Sequence, residues 1–177
     1  CVIGCGGIGL SAIQGARVAG ASRIIAVDMS AEKLETAKVM GATDTLNASE
    51  TDDVVAAVKE LTKGGVEYSF EAIGLKQTAE QAFEMLAVGG TATIVGMVPS
   101  STKLEIRGID FLSEKKLQGS MMGSNQFRTD IPQMIDLYLN GRLLLDEMVS
   151  ATIDLEQVNE GYAWMKEGTV ARTVISF

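Results

Sequence analysis

The sequence predicts an α/β protein in which a doubly wound parallel sheet carries helices on both faces. Short runs rich in β-branched and aromatic residues occur at 2–3, 24–27, 66–70 and 91–95, as in buried parallel strands. The segments between several of these runs place apolar residues every three to four positions, which is typical of amphipathic helices. Gly, Asp or Ser bounds each run, so strands and helices alternate and right-handed crossovers are expected.

Two of the intervening helices have recognisable ends. In the first, Ser30 is the predicted N-cap and Gly41 is the residue that stops the helix. In the second, apolar residues recur at helical spacing over 54–61, and Thr51 is the predicted N-cap. The acidic residues 52–53 then fall in the first turn, where the helix dipole favours negative charge.

The regular alternation changes beyond about residue 108. The pattern there predicts three strands, at 116–122, 148–153 and 171–177. It also predicts a helix from near Asp130 to Gly141, with Pro132 in its first turn. A second helix is predicted from the apolar face Leu155, Val158, Tyr162 and Met165. We therefore divide the chain into residues 1–122 and residues 123–177. The first strand is shorter than the usual length of about five residues, so we expect further residues upstream of Cys1.

Composition excludes several classes of protein. The 177 residues are 46% hydrophobic and 21% charged, which predicts a compact globular chain of one domain, or of one domain and part of another. The net charge of −8 and the aromatic content of 5% make nucleic acid an unexpected partner. No uncharged run reaches the ~20 apolar residues of a membrane span. With two cysteines and no secretory leader, a reducing cytoplasm is the expected location.

The chain contains no histidine, which restricts its chemistry. A Ser-His-Asp or Cys-His triad is impossible within it, and so is a zinc site that uses histidine. Cys1 and Cys5 are too few for a closed metal site and are interpreted as small apolar fillers. We therefore assign no catalytic residue and no metal ligand, and expect the chemistry to come from a cofactor or from another segment.

A glycine-rich turn follows the first strand. It has the pattern G-x-G-x-x-G and comprises Gly4, Cys5, Gly6, Gly7, Ile8 and Gly9. The first glycine allows a tight turn, the second lets the backbone approach a pyrophosphate, and the third lets helix and strand pack closely. The following helix, with Ile8, Ala12, Ile13 and Ala16 as its expected inner face, directs unpaired N–H groups at the phosphates. The pattern indicates a dinucleotide site of the Rossmann type, although such a turn can also be purely structural.

Asp28 strengthens the functional interpretation of this turn. It ends the predicted second strand and lies 19 residues after Gly9, close to the spacing of about 20 that places an acid on the adenosine ribose. A carboxylate there accepts both ribose hydroxyls and repels a 2′-phosphate, so the sequence predicts NAD(H) rather than NADP(H). The alternative is that Asp28 caps the next helix, but Ser30 is better placed for that role.

Several segments taken together resemble the cofactor-binding portion of medium-chain, zinc-type alcohol dehydrogenases. The resemblance covers essentially the whole chain, in the order Val2-Ile3-Gly4-Cys5-Gly6-Gly7-Ile8-Gly9, Ala26-Val27-Asp28 with Lys33, Gly64-Gly65-Val66-Glu67-Tyr68-Ser69-Phe70-Glu71-Ala72-Ile73-Gly74, Ile94-Val95-Gly96-Met97 and Val170-Ala171-Arg172-Thr173-Val174-Ile175-Ser176-Phe177. The family supplies a role for each matching position.

By this resemblance, the backbone of Gly6, Gly7 and Ile8 would meet the pyrophosphate, with the Ile8 side chain against the nicotinamide. Asp28 and Lys33 would hold the adenosine ribose. The remaining implied contacts are Met29 at the adenine, Ala72 and Ile73 as the adenine-side wall, the backbone at Val95, Gly96, Met97 and Met121 around the carboxamide, and Arg172 at the pyrophosphate. Lys33 and Arg172 could equally be solvated surface residues.

The resemblance also implies what lies outside this chain. In the family, zinc ligands come from a catalytic domain that precedes the glycine turn, and residues 123–177 would fold back onto that domain. The implied reaction is hydride transfer between a small alcohol or aldehyde and NAD(H), with zinc as Lewis acid. The chain alone would bind dinucleotide without turning over alcohol. The edge strand near 115–122 would pair with its twin in a homodimer. Leu75 departs from the basic residue of many relatives.

Three other interpretations remain open on the sequence. One is a zinc-free medium-chain reductase for quinones or enoyl thioesters, against which Asp28 argues because many such relatives prefer the phosphorylated cofactor. Another is a methyltransferase that uses S-adenosylmethionine, in which the tight glycine turn and Arg172 would lack a purpose. The last is a non-catalytic nucleotide-binding module that retains the fold.

Overall fold

The computed structural model describes all 177 residues as an α/β chain with eight strands and six α-helices. The strands are β1 (Val2–Ile3), β2 (Ile25–Asp28), β3 (Asp44–Asn47), β4 (Val66–Glu71), β5 (Leu86–Ile94), β6 (Lys116–Gly119), β7 (Ala151–Asp154) and β8 (Thr173–Ser176). The α-helices are α1 (Gly7–Val18), α2 (Ala31–Met40), α3 (Val54–Thr62), α4 (Lys76–Glu84), α5 (Phe127–Leu139) and α6 (Val158–Glu167). None of them is long and apolar enough to cross a membrane.

The main sheet confirms the predicted doubly wound arrangement. Six parallel strands lie in the order β3-β2-β1-β4-β5-β6, and β7 pairs in parallel with β8 in a separate two-stranded sheet. The chain moves outward from β1 in one direction and then returns to place β4 on its other side. Ligands of such folds bind outside the carboxyl ends of the strands where the order reverses, so the expected cleft lies between β1 and β4.

Two apolar clusters cover the two faces of the sheet because neighbouring residues of a strand point to opposite sides. On one face, Val2 packs with residues of α1 and α2 such as Ile13 and Ala37. On the other, Ile3 packs with residues of α3 and α4 such as Val58 and Phe83. The covered faces explain why the central strands β1 and β2 are mostly apolar on both sides.

The predicted limits of α2 are confirmed. Ser30 precedes the helix and its hydroxyl accepts a hydrogen bond from the Lys33 N–H, while Gly41 ends it at a φ of 119°. The predicted cap of α3 is wrong. Asp53, not Thr51, is the N-cap, and its carboxylate accepts a 2.9 Å bond from the Ala56 N–H. The Thr51 hydroxyl instead donates to the Asn47 carbonyl, which holds the preceding turn.

The expected inner face of α1 needs one correction. The Ile8 side chain is 61% exposed, whereas Leu10, Ile13 and Gln14 are buried. Because successive residues of an α-helix are about 100° apart around its axis, Ile8 lies on the side of α1 away from these three residues. Ala12 and Ala16 are partly buried against the α1 and α2 cluster, as predicted.

The boundaries predicted in the last third of the chain are displaced by several residues. The strand predicted to reach residue 122 ends at Gly119, because positive φ angles at Met122 and Gly123 turn the chain into a short 3-10 helix. Helix α5 begins at Phe127 rather than near Asp130, because the Asp130 carboxylate caps its start by accepting from the Gln126 N–H.

Two more predictions in this region change accordingly. Pro132 lies in the second turn of α5 rather than the first, and the helix ends at Leu139, two residues before Gly141. The strand predicted at 148–153 is β7 at Ala151–Asp154, and Met148 ends a short 3-10 helix instead. The terminal strand is confirmed as β8, with shorter bounds.

Residues 142–148 pack against α1. The Gln14 amide donates to the Leu144 carbonyl at 3.0 Å and accepts from the Leu144 N–H at 2.6 Å. Met148 is buried in the same cluster as Val2 and Ile13. Arg17 and Arg142 each donate to a carbonyl of the other segment. The second part of the chain is thereby attached to the main sheet through α1.

Candidate functional site

The glycine turn is as tight as its pattern predicts. Gly4 has a φ of 95°, and a Cβ there would lie 2.5 Å from the Ile73 side chain. A Cβ on Gly9 would overlap the Gly4 carbonyl oxygen and come within 3.4 Å of Val2. The first and third glycines therefore let α1 start directly against β1.

The middle of the turn faces open space. A Cβ built on Gly6 would meet no atom within 4 Å, so an approaching group can reach the backbone there. Helix α1 begins at the next residue, Gly7, and no side chain caps its N–H groups. Free N–H groups and the positive end of a helix dipole are the features with which helix N-termini bind anions in proteins.

Asp28 lies beside the turn, at the carboxyl end of β2, and its carboxylate is held by two backbone groups. The Cys5 N–H donates to Oδ2 at 2.7 Å, and the Ser30 N–H donates to Oδ1 at 3.0 Å. Each carboxylate oxygen can accept more than one hydrogen bond. Asp28 is partly exposed and lines the cleft, so it can accept further donors from a ligand.

The cleft has a volume of about 1440 Å³ and brings together about half of the predicted contact residues. Those that line it are Gly4, Gly6, Asp28, Met29, Lys33, Ala72 and Ile73. Met29 and Ile73 expose much of their side chains, which gives the opening an apolar border. Apart from Lys33, which lies on α2, these residues follow or end β1, β2 and β4 at their carboxyl ends, the position expected for a ligand of this fold.

The cleft has a third wall, which comes from the last part of the chain. A Cβ on Gly7 would lie 2.9 Å from the Ala171 carbonyl oxygen. Residues 168–171, here called the covering segment, therefore pass directly over the glycine turn. The Ser150 hydroxyl accepts from the Ala171 N–H at 2.9 Å and fixes its path. On the far side, a Cβ on Gly168 would lie 2.9 Å from the Lys33 ammonium nitrogen, so Lys33 reaches across the opening.

Other predicted residues do not line the cleft. Ile8 and Gly9 are in the first turn of α1, the former exposed and the latter buried beneath Gly4. Arg172 is exposed and follows the covering segment. Its main-chain carbonyl accepts a hydrogen bond from the Ser150 N–H. Met97 and Met121 are 93% and 86% exposed, beyond the carboxyl ends of β5 and β6.

The turn at residues 95–97 is joined to the turn after β4. The N–H groups of Val95 and Gly96 both donate to the Glu71 carbonyl, at 2.9 and 3.0 Å. A Cβ on Gly74 would lie within 2.8 Å of the Met97 backbone. The two turns therefore pack backbone to backbone. The position of Met97 is fixed by this backbone contact and not by its exposed side chain.

Three residues that organise the site carried little signal in the sequence. Glu71 is fully buried at the end of β4, Gln14 is buried on α1, and Ser150 holds the covering segment. A charged residue ending an apolar strand was a usable signal for Glu71, because strand ends border the ligand in this fold. Gln14 and Ser150 have partners more than 20 residues away, and no local pattern marks such contacts.

Cys5, in the glycine turn, is buried, and its surroundings disfavour the reactive thiolate form. Burial raises the pKa of the Cys5 thiol to about 12, and the nearby negative charge of Asp28 acts in the same direction. The Cys5 sulfur faces the Val27 carbonyl at 3.8 Å. No group of three His, Cys, Asp or Glu side chains is arranged to hold a metal ion.

Comparison with known proteins agrees with this geometry. The model of the zinc-binding dehydrogenase family matches residues 7–140. The chain is 35% identical to an alcohol dehydrogenase class-3 of Cereibacter sphaeroides, over 99% of this chain and 49% of that protein. The chain thus spans about half the length of the curated relatives it matches.

Solved structures extend the likeness to three dimensions. An alcohol dehydrogenase zinc-binding domain protein from Burkholderia ambifaria has a TM-score of 0.95 and 36% identity, over 99% of this chain and 47% of that one. The benzyl alcohol dehydrogenase of Acinetobacter calcoaceticus has a TM-score of 0.94 and 33% identity, over 98% and 48% of the two chains. By sequence and by fold, this chain belongs to the zinc-binding dehydrogenase family and corresponds to the part that carries the glycine turn.

Proposed function

We propose that this chain binds NAD(H) and is the cofactor-binding part of a zinc-dependent alcohol dehydrogenase. One observation carries the proposal: the uncapped N–H groups at the start of α1 face a cleft at the reversal point of the sheet, next to the open backbone of Gly6. A pyrophosphate is the anion that such a site accepts in a doubly wound fold. Family membership supports the same function.

We assign the predicted contact residues to successive parts of a bound dinucleotide. The backbone of Gly6, Gly7 and Ile8 would bind the pyrophosphate, and Arg172, which follows the covering segment, would pair with it. Asp28 and Lys33 would hold the adenosine ribose, with Met29 at the adenine and Ala72 and Ile73 as the opposing wall. The backbone at Val95, Gly96, Met97 and Met121 would meet the carboxamide, and the exposed Ile8 side chain would lie against the nicotinamide.

Asp28 supports NAD(H) over NADP(H). Its two oxygens are held by the Cys5 and Ser30 N–H groups, which fix the orientation of the carboxylate at the cleft. A 2′-phosphate in that place would put two negative groups side by side, which disfavours the phosphorylated cofactor. The ribose hydroxyls of NAD(H) would instead donate to it.

In the intact protein, the reaction we propose is hydride transfer between a small alcohol or aldehyde and the nicotinamide ring. This chain's own contribution is to hold the ring in place with fixed backbone groups and an apolar side chain. The family implies zinc, but no metal-holding cluster is present among these residues. We therefore derive no step through zinc and expect its ligands from the other half of the protein.

The assembly we propose follows from two surfaces. Residues 123–177 would pack on the missing half, because α5 has no buried residue and carries an exposed apolar stripe that includes Phe127, Ile131 and Ile135. The outer edge of β6 has no strand beyond it, and such edges favour pairing, which supports a homodimer through this edge.

The two free cysteines support a reducing cytoplasm as the location.

Isothermal titration of the purified chain with NADH, NADPH and S-adenosylmethionine tests the binding proposal. We expect NADH to bind, NADPH to bind more weakly and S-adenosylmethionine not to bind. Absence of NADH binding, or preference for either of the other ligands, contradicts it. Oxidation of an alcohol by the 177-residue chain alone would contradict the proposal that turnover needs the other half of the protein. A monomer at high concentration in light scattering would contradict the homodimer.

A further inference from the structure

Glu71 is the one carboxylate that the fold buries completely at the carboxyl edge of the sheet. It is 0% exposed and ends β4, beside β1 on one side and β5 on the other. A buried carboxylate is unfavourable unless hydrogen bonds compensate for its lost hydration. Its surroundings therefore show what the protein uses it for.

One oxygen of this carboxylate holds the turn after β4. Oε1 accepts from the Ile73 N–H at 2.9 Å, the Gly74 N–H at 2.7 Å and the Thr78 hydroxyl at 2.8 Å. Thr78 is in the first turn of α4, a helix whose N-cap residue makes no side-chain cap bond. The carboxylate thus fixes both the turn that follows Ala72 and the start of the next helix, where negative charge is favoured.

The other oxygen meets the turn after β5. Oε2 is buried and has no hydrogen-bond partner. A Cβ on Gly96 would lie 2.5 Å from it and still closer to the Gly74 N atom. The main-chain carbonyl of Glu71 also accepts from Val95 and Gly96. Glu71 therefore makes hydrogen bonds to both turns. Its Oε2, a buried oxygen without a donor, lies where the two turns meet.

We propose that Glu71 is a positioning residue for the dinucleotide: its carboxylate holds the turn at 72–74, its main-chain carbonyl holds the turn at 95–97, and together they set the distance between two turns that border different parts of the cofactor. This inference rests on the proposed function, in which the first turn borders the adenosine half and the second borders the carboxamide. Accurate placement of a bound ring needs supporting residues whose own geometry is fixed.

Three substitutions separate this role from a general loss of stability. Glu71→Ala removes all three accepted bonds, and Glu71→Asp keeps the charge but is one methylene too short to make them. Glu71→Gln keeps an accepting oxygen at the same length. Glu67→Ala, an exposed glutamate on the same strand, is the matched control. Should the alanine variant fail to fold, the aspartate variant carries the test.

NADH and ADP-ribose are then titrated against each folded variant, with the emission spectrum of bound NADH as a second readout. ADP-ribose lacks the nicotinamide and does not reach the second wall. We expect Glu71→Ala and Glu71→Asp to weaken NADH about tenfold or more, to weaken ADP-ribose less, and to shift the NADH emission toward that of free NADH. The glutamine and Glu67→Ala variants should stay within about threefold of the unsubstituted chain for both ligands.

The proposal is overturned if the alanine and aspartate variants bind NADH normally, if NADH and ADP-ribose weaken equally, or if the glutamine variant falls as far as the alanine variant. Each of these results leaves the proposed function intact, because the unsubstituted chain binds NADH in all of them. If the unsubstituted chain does not bind NADH, the proposed function fails and the role of Glu71 fails with it.

Discussion

The backbone N–H of Cys5 donates a 2.7 Å hydrogen bond to Oδ2 of Asp28. This bond joins the second residue of the glycine turn to the carboxyl end of the neighbouring strand, 23 residues further along the chain. The acid proposed to select the ribose therefore also holds the turn proposed to bind the pyrophosphate. The two halves of the site are placed by one contact.

Asp28→Asn should reduce the preference for NADH over NADPH. The amide keeps an accepting oxygen for the turn, but it loses the charge that repels a 2′-phosphate and that strengthens bonds from the ribose hydroxyls. We expect the affinity for NADH to fall about tenfold, or about 1.4 kcal/mol, and the affinity for NADPH to fall less or to rise. Fluorescence titration with both cofactors measures the ratio.

The control is Asp136→Asn, which changes an exposed aspartate on α5 far from the turn in the sequence. This variant should keep the ratio of the unsubstituted chain. An unchanged ratio in Asp28→Asn would remove Asp28 as the residue that discriminates between the cofactors.

Gly9→Ala should destabilise the chain, whereas Gly15→Ala on the same helix should not. The new methyl group at position 9 would overlap the Gly4 carbonyl, while at position 15 it would meet nothing within 4 Å. Overpacking of this kind costs about 3 kcal/mol, and Gly to Ala in an open helical position gains about 0.5–1 kcal/mol. Urea unfolding measures both, and equal effects would contradict the close approach of α1 to β1.

Asp53→Ala should cost about 1 kcal/mol in the free energy of unfolding, because it removes the N-cap of α3. Its carboxylate is the group that accepts from the Ala56 N–H. Asp52→Ala is the neighbouring control, and its effect should be close to zero since it lies before the helix. Thermal or urea unfolding compares the two, and a larger loss at position 52 would show that the cap is misassigned.

The stability of the chain should fall between about pH 9 and pH 12, in part because of Cys5. Burial raises the pKa of its thiol from 9.0 to about 12, so the unfolded chain releases this proton at lower pH than the folded chain. The neutral thiol is thus fully stabilising below pH 9, and the contribution is lost as pH rises through that interval, at up to about 1.4 kcal/mol per pH unit.

Cys5→Ala isolates this contribution from that of the lysines and tyrosines, which also titrate there. The variant should lose less stability between pH 9 and pH 12 than the unsubstituted chain does, measured by urea unfolding at several pH values. Parallel curves for the two proteins would mean that the thiol titrates alike in the folded and unfolded chains.

Elements with strong local patterns were predictable from the sequence. The strands β1, β2, β4 and β5 contain β-branched or aromatic residues, and Ser30 and Gly41 mark the ends of α2 through local hydrogen bonding and backbone conformation. Strand β3 was missed because three of its four residues are polar and all are half-buried, so it has neither an apolar run nor a clean alternation. It is a strand because β2 offers it an edge.

The sequence by itself predicted the alternation of strands and helices apart from β3, the glycine turn at residues 4–9 and the acid at the end of β2, because each depends on residues close together in the chain. Only the tertiary structure decided that Ala171 covers Gly7, that Asp28 bonds to Cys5 and that Glu71 lies beneath two turns. Those contacts join segments that lie far apart in sequence, and they form only when packing of the sheet and helices brings the segments together.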